Sequence, residues 1–131
     1  MIEHDKDVIS IADYIIDVGL RAGQNGSERQ RIKLAKNLGK KGSIIVMDEP
    51  TTGLYMPHIR NLLKLFDAIV FQGNTLIVSE HKLDVINQAD WIIDIGPDGG
   101  KNGGEVMFTG TPAQMFRNAR TLTADSLRTS L

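Results

Sequence analysis

At 131 residues the chain is long enough for one ordinary domain, or for a piece of a larger protein. Its 41% apolar and 24% charged residues are the balance of a globular protein and exclude an intrinsically disordered one. A net charge of −1 argues against broad attraction to nucleic acid or anionic membranes, and the lack of cysteine excludes disulfides and a cysteine-ligated zinc.

The first elements belong to an internal repeat. A shift of 77 positions aligns Glu3-His-Asp-Lys-Asp-Val-Ile9 with Glu80-His-Lys-Leu-Asp-Val-Ile86. The same shift aligns Ala12-Asp-Tyr-Ile-Ile-Asp-Val-Gly19 with Ala89-Asp-Trp-Ile-Ile-Asp-Ile-Gly96. From Glu3 to Gly26, 14 of 24 positions are identical, far above chance, so the duplication is real. Each copy reads as a strand end carrying Glu-His, a short helix, a second strand and a Gly-rich turn. Tyr14 and Trp91 occupy equivalent positions and are expected to pack. The first copy begins at Met1-Ile2, so its leading strand is expected to be cut off.

After Gly26 the pattern changes. Ser27-Glu-Arg-Gln-Arg-Ile-Lys-Leu-Ala-Lys-Asn-Leu38 predicts a helix over 28–38, with Ser27 and Gln30 as a capping box and Gly39 closing the end. There is thus a seam near Gly26. Arg29, Arg31, Lys33, Lys36, Lys40 and Lys41 crowd this stretch, and the ordinary reading is a solvated helix face rather than a phosphate contact.

The most informative run follows: Ser43-Ile-Ile-Val-Met-Asp-Glu-Pro-Thr-Thr-Gly-Leu54. Its short β-branched stretch predicts a strand over 43–48 that is buried on both faces. Two carboxylates, Asp48 and Glu49, end it where open α/β sheets place their ligands. Asp48 could hold a Mg²⁺ and Glu49 polarise a water; the plainer alternative is a turn or a helix-dipole pair. No G-x-x-x-x-G-K-[ST] phosphate loop occurs, and the Gly-rich Gly96-Pro-Asp-Gly-Gly-Lys-Asn102 does not fit that spacing.

Pro57, then Ile59, Leu62, Leu63, Phe66, Ile69 and Val70, predict an amphipathic helix over 57–72 ending at Gly73. Strand 43–48, this helix and strand 74–79 make a β-α-β unit with parallel strands. His58, at the helix start, is expected to be exposed. His81 follows Ser79-Glu80 one strand beyond the carboxylates. It is either a polar strand-end residue or a phosphate sensor, whereas His4 in the first copy reads as a relic. Asp84, Asp90 and Asp94 could suggest a metal cluster, but a first helical turn and a pre-strand position account for Asp84 and Asp90. A strand over 91–95 pairs in a hairpin with 105–109. A short helix, Pro112 to Asn118, and a weakly patterned tail complete the chain.

Met47-Asp-Glu-Pro-Thr-Thr-Gly-Leu54 resembles the Walker B and D-loop segment of ATP-binding-cassette (ABC) ATPases, and Ser79-Glu-His81 resembles their switch-histidine strand. With Ala89-Asp-Trp-Ile-Ile-Asp-Ile-Gly-Pro-Asp-Gly-Gly100, Gly103-Gly-Glu105 and Gly110-Thr-Pro112, the resemblance narrows to the UvrA family, the DNA-damage sensors of the ABC excinuclease. The resemblance implies that residues 1–26 are the end of a first cassette. Residues 27–131 would be the C-terminal part of a second. The implied fold is α/β, a partial ABC-type ATPase domain (a P-loop NTPase-like sheet) without the phosphate-loop lobe. Strands 43–48, 74–79 and 91–95 would form its sheet, with an exposed edge and an apolar patch.

The resemblance also implies roles. Asp48 would ligate Mg²⁺ with ATP, Glu49 would activate water and His81 would sense the γ-phosphate. Gln24-Asn-Gly-Ser-Glu28 stands where the family has Leu-Ser-Gly-Gly-Glu, so Asn25, Gly26, Ser27, Glu28 and Gln30 are the signature remnant and candidate nucleotide contacts. Asn25 replaces the family's phosphate-contacting serine there, and Ser27 replaces a glycine. The family's zinc module would lie between those two cassette parts and is absent at the seam, so no zinc is expected. Expected partners are another ABC cassette, its own or that of a complete UvrA-like protein. DNA and the other excinuclease subunits would be reached only through an intact family member. Without a phosphate loop the chain is not expected to turn over ATP alone.

Other readings are a non-catalytic module that docks on a complete relative, a drug self-protection paralogue, and a decayed gene product. The apolar runs are too short to cross a bilayer and no signal peptide precedes the first charges, so a cytoplasmic location is expected.

Overall fold

A computed structural model describes residues 14–17, 41–96 and 104–130. The chain divides into two compact units between Glu80 and His81. Helices and strands mix in both, giving the expected α/β class.

The first unit is built on a parallel sheet of order β1-β2-β3, with β1 at Tyr14–Asp17, β2 at Ile44–Asp48 and β3 at Thr75–Ser79. The register sets Asp17 beside Asp48 and Asp48 beside Ser79 at one end of the sheet. The central strand has buried Ile45, Val46 and Met47 on consecutive positions, the continuous burial that a parallel strand covered on both faces requires. Helix α1, Met56–Phe71, connects β2 to β3 and carries Pro in its first turn. Its buried stripe is Ile59, Leu62, Phe66 and Ile69, as the 3.6-residue period predicts, while Val70 is exposed. Gly73 ends the helix at φ +90°, a left-handed conformation costly for any residue with a Cβ. Buried Asn74 then closes the β-α-β unit. Its Oδ1 accepts from the Ser43 N–H at 3.1 Å and its Nδ2 donates to the Ile69 carbonyl at 3.0 Å.

The second unit begins with helix α2, Leu83–Gln88, which has Asp84 in its first turn as expected. Strand β4, Ile92–Gly96, pairs antiparallel with β5, Glu105–Gly110, and a register irregularity falls between Asp94 and Ile95. The predicted hairpin partner is therefore present. The predicted placement of 91–95 in the parallel sheet is not: β4 and β5 form a sheet of their own. The third parallel strand comes instead from the first repeat copy, whose Tyr14-Ile-Ile-Asp17 is a β-branched run equally able to flank β2.

Helix α3 spans Pro112–Asn118 as predicted. The tail expected to be weakly patterned folds as helix α4, Leu122–Thr129, because the Thr121 side chain caps it and Ala124 and Leu127 bury. Met115, Ala119, Ala124 and Leu127 form this unit's core, with Leu83, Ile86, Ile92 and Phe108 packed on it. The Arg128 Nε donates to the Phe116 carbonyl at 2.8 Å, satisfying an acceptor at the end of α3.

Ile92 faces this core, so the alternation of a strand turns Trp91, Ile93 and Ile95 outward. Trp91 is 58% exposed, which corrects the expectation that it packs. The expected apolar patch lies on this outward face.

Thr111 and Gln114 make a capping box at α3: the Gln114 N–H donates to Thr111 Oγ1 at 3.2 Å and the Thr111 N–H to Gln114 Oε1 at 2.9 Å. Thr111→Ala is expected to cost the second unit about 1 kcal/mol in urea denaturation, with Thr111→Ser close to wild type.

The predicted helix 28–38, its capping box and the leading half of the first repeat copy lie outside the described residues. No helix among the described residues is long and apolar enough to cross a membrane.

Candidate functional site

Buried β2 delivers Asp48 to the C-terminal end of the parallel sheet, where the chain emerges to solvent. Asp48 and Glu49 are both exposed there. Glu49 takes φ +42°, a left-handed conformation unusual for a residue with a side chain. The backbone on either side fixes it. The Glu49 N–H donates to the Ser79 carbonyl on β3 at 2.8 Å, and the Glu49 carbonyl accepts from the Thr52 N–H at 3.1 Å.

That second bond closes a turn with Pro50 just after Glu49, the position proline's fixed φ favours. Gly53 follows at φ +73°, and the Leu54 N–H donates to the Thr51 carbonyl at 3.0 Å. The turn is not a loose surface loop, since Pro50, Thr51 and Leu54 are buried. Thr51 is 1% exposed and satisfies two donors on one acceptor: its N–H donates to Glu80 Oε1 at 2.9 Å, and its hydroxyl donates to the same oxygen.

The structure thus brings Asp48 and Glu49 together at the end of one strand, as predicted, with Glu80 at the end of the neighbouring strand. His81 is exposed and follows Glu80 directly, opening the second unit. Asn25, Gly26, Ser27, Glu28 and Gln30 lie outside the described residues. His58 is half-buried rather than exposed, in a first turn where the N–H groups of His58 and Ile59 both donate to the Tyr55 carbonyl. Asp94 serves packing of the second unit, its Oδ1 accepting from the Thr123 hydroxyl at 3.1 Å. Among the described residues no group of three or more His, Cys, Asp or Glu could hold a metal ion by itself.

The Thr51–Glu80 link is what sequence reasoning missed. Its signal was present: a threonine after Glu-Pro, and a carboxylate ending the next parallel strand.

Chemically, the exposed donors are hard carboxylate oxygens. They suit Mg²⁺, which takes one or two carboxylates and completes its octahedron with water and phosphate oxygens. They do not make a closed protein cage.

Comparison with known proteins decides the ancestry. No family model matches the sequence. UvrABC system protein A of Agrobacterium fabrum is 46% identical over 125 residues, covering 87% of this chain and 13% of that protein. The protein of the same name from Pasteurella multocida is 47% identical over 128 residues, covering 89% of this chain and 14% of its own length. The chain belongs to the UvrA family. The crystal structure of UvrA2 from Deinococcus radiodurans matches with a TM-score of 0.72 and 44% identity, over 81% of this chain and 13% of that one. The chain therefore spans about one seventh of the length of these UvrA relatives. That structural match accords with the α/β architecture found here.

Proposed function

We propose that this chain is the terminal part of a UvrA-type ABC ATPase, a component of excision repair of DNA in its complete form. Residues 1–26 are a remnant of a first cassette's switch-histidine unit. Residues 27–131 are the C-terminal part of a second, with its signature helix, Walker B strand, D-loop, switch histidine and terminal hairpin.

The observation that supports this is the buried parallel strand β2 ending in exposed Asp48, with Glu49 turned out by a left-handed backbone. Asp48 is the residue that would hold Mg²⁺, and Glu49 the one that would orient the attacking water. His81 would contact the γ-phosphate, and Asn25, Gly26, Ser27, Glu28 and Gln30 would contact nucleotide across an interface with another cassette. Bound Mg-ATP would supply the transferable phosphoryl group and the divalent charge that neutralises it. What this chain lacks is the cradle of backbone N–H groups and lysine that positions those phosphates, for no phosphate loop occurs in its sequence.

The expected result is no steady-state phosphate release by the purified chain, and Mg-ATP binding by calorimetry only when it is mixed with a complete UvrA-family protein, as heat in excess of what that protein gives alone. Hydrolysis by the isolated chain that disappears in Glu49→Gln would overturn the first part. No excess heat in the mixture over the complete protein alone would overturn the second.

A second reading is a non-catalytic module that docks on a complete relative. The outward apolar face at Trp91 and Ile93, the latter 61% exposed, favours it. Co-purification with the relative, together with a changed ATPase rate of that relative, separates the two readings.

A further inference from the structure

Glu80 has no role in the reading above, yet it is the acceptor on which the turn after the carboxylates closes. We infer that Glu80 is a positioning residue: by clamping Thr51 it holds the Asp48–Glu49 turn in register with β3 and keeps the Glu49 backbone in its left-handed conformation.

Three observations carry this. Thr51 is buried, so its N–H and hydroxyl cannot turn to water, and both are directed at Glu80 Oε1. Glu49 sits two residues earlier, between its own bond to the Ser79 carbonyl and the turn bond from Thr52. The end of β3 therefore grips the turn twice, by the backbone of Ser79 and by the side chain of Glu80, the residue that follows the strand. The first grip acts before the left-handed residue and the second after it. A non-glycine residue at φ +42° relaxes unless its surroundings over-determine it, and a turn held on both sides does so.

Hydrogen bonds to a carboxylate are among the stronger kind. Leaving Thr51's two donors buried without an acceptor costs more than the net worth of each bond. The clamp also ties the position of Glu49 to the residue directly before His81, so a shift of the β3 end moves the turn with it.

The catalytic consequence of this clamp rests on the ATPase reading; the clamp itself does not, and it is tested without nucleotide. In nuclear magnetic resonance of the full chain, Glu80→Ala is expected to speed exchange of the Thr51 amide by about tenfold or more. The backbone shifts and HN–Hα coupling of Glu49 should leave their left-handed values, while Val46 and Met47 in β2 keep their protection. Glu80→Gln keeps an oxygen acceptor and should restore both signatures in large part. Thr51→Ser should behave as wild type, and Thr51→Val, which keeps the volume and loses the hydroxyl, should fall between.

Unchanged Thr51 exchange and Glu49 shifts in Glu80→Ala would overturn the inference. So would a loss of protection shared equally by Val46 and Met47, because that is general destabilisation. If Glu80→Ala does not fold, the Thr51→Val and Thr51→Ser pair decides the same question, with equal Glu49 signatures counting against the clamp. Failure of the mixture with a complete UvrA-family protein to bind more Mg-ATP than that protein alone, with these signatures intact, would count against the ATPase reading alone.

Discussion

Ile45→Ala is expected to cost the parallel-sheet unit about 2–5 kcal/mol, the range for truncating a fully buried large aliphatic side chain. Ile45 has no exposed surface and lies on the middle strand of three, between Tyr14 on β1 and Leu76 on β3 in the sheet register. Neighbours on both edges limit how far the backbone can collapse into the space left behind, which places the cost in the upper part of that range. Ile45→Val, which removes one methylene, should cost only about 0.5–1.5 kcal/mol. Urea denaturation followed at the amides of Val46 and Met47 measures both. A cost near zero for Ile45→Ala would mean that β2 is not packed on both faces.

Asn74→Ala is expected to cost about 2–4 kcal/mol by the same measurement, although the residue is polar and lies between a helix and a strand. The side chain is 7% exposed, and both of its ends are engaged with backbone. Truncation strands the Ser43 N–H and the Ile69 carbonyl in the interior, where neither reaches water. Asn74→Asp separates the two bonds. The carboxylate still accepts from Ser43 but faces the Ile69 carbonyl with a lone pair and carries a buried charge. It should be at least as damaging as alanine at neutral pH and should recover on acidification, since a protonated carboxyl donates again. Equal stability of Asn74→Asp at both pH values would show that the Ile69 bond contributes nothing.

Much of this fold was legible in local pattern. The apolar run at 44–47 ending in two carboxylates specified β2, and the stripe from Ile59 to Ile69 specified α1. Pro57 and Gly73 marked that helix's ends through backbone restrictions of their own. Helix α4 was less legible because its apolar residues are few. It depends on the Thr121 cap and on Arg128 reaching back to α3, and the second of these spans an intervening loop. The exposure of Trp91 was illegible for a similar reason. Alternation fixes that Trp91 and Ile93 share a face, but not whether anything covers it.

The candidate site divides the same way. The pair Asp48–Glu49 with the Pro-Thr-Thr-Gly that follows was readable as a strand end and turn, and the resemblance it carries agrees with the UvrA relatives. Local pattern alone is therefore enough for the family, the elements of the β-α-β unit and the position of the carboxylates. It could not determine pairing. Ile-Ile-Asp occurs at 15–17 and again at 92–94; the first lies parallel against β2 and the second antiparallel against β5. Identical local propensities cannot choose between those partners. The choice depends on strands far away in the chain, as does the meeting of Thr51 with Glu80 across 29 residues. Only tertiary structure decides such pairings, because their free energy resides in burial and hydrogen bonds that exist once the sheet has assembled.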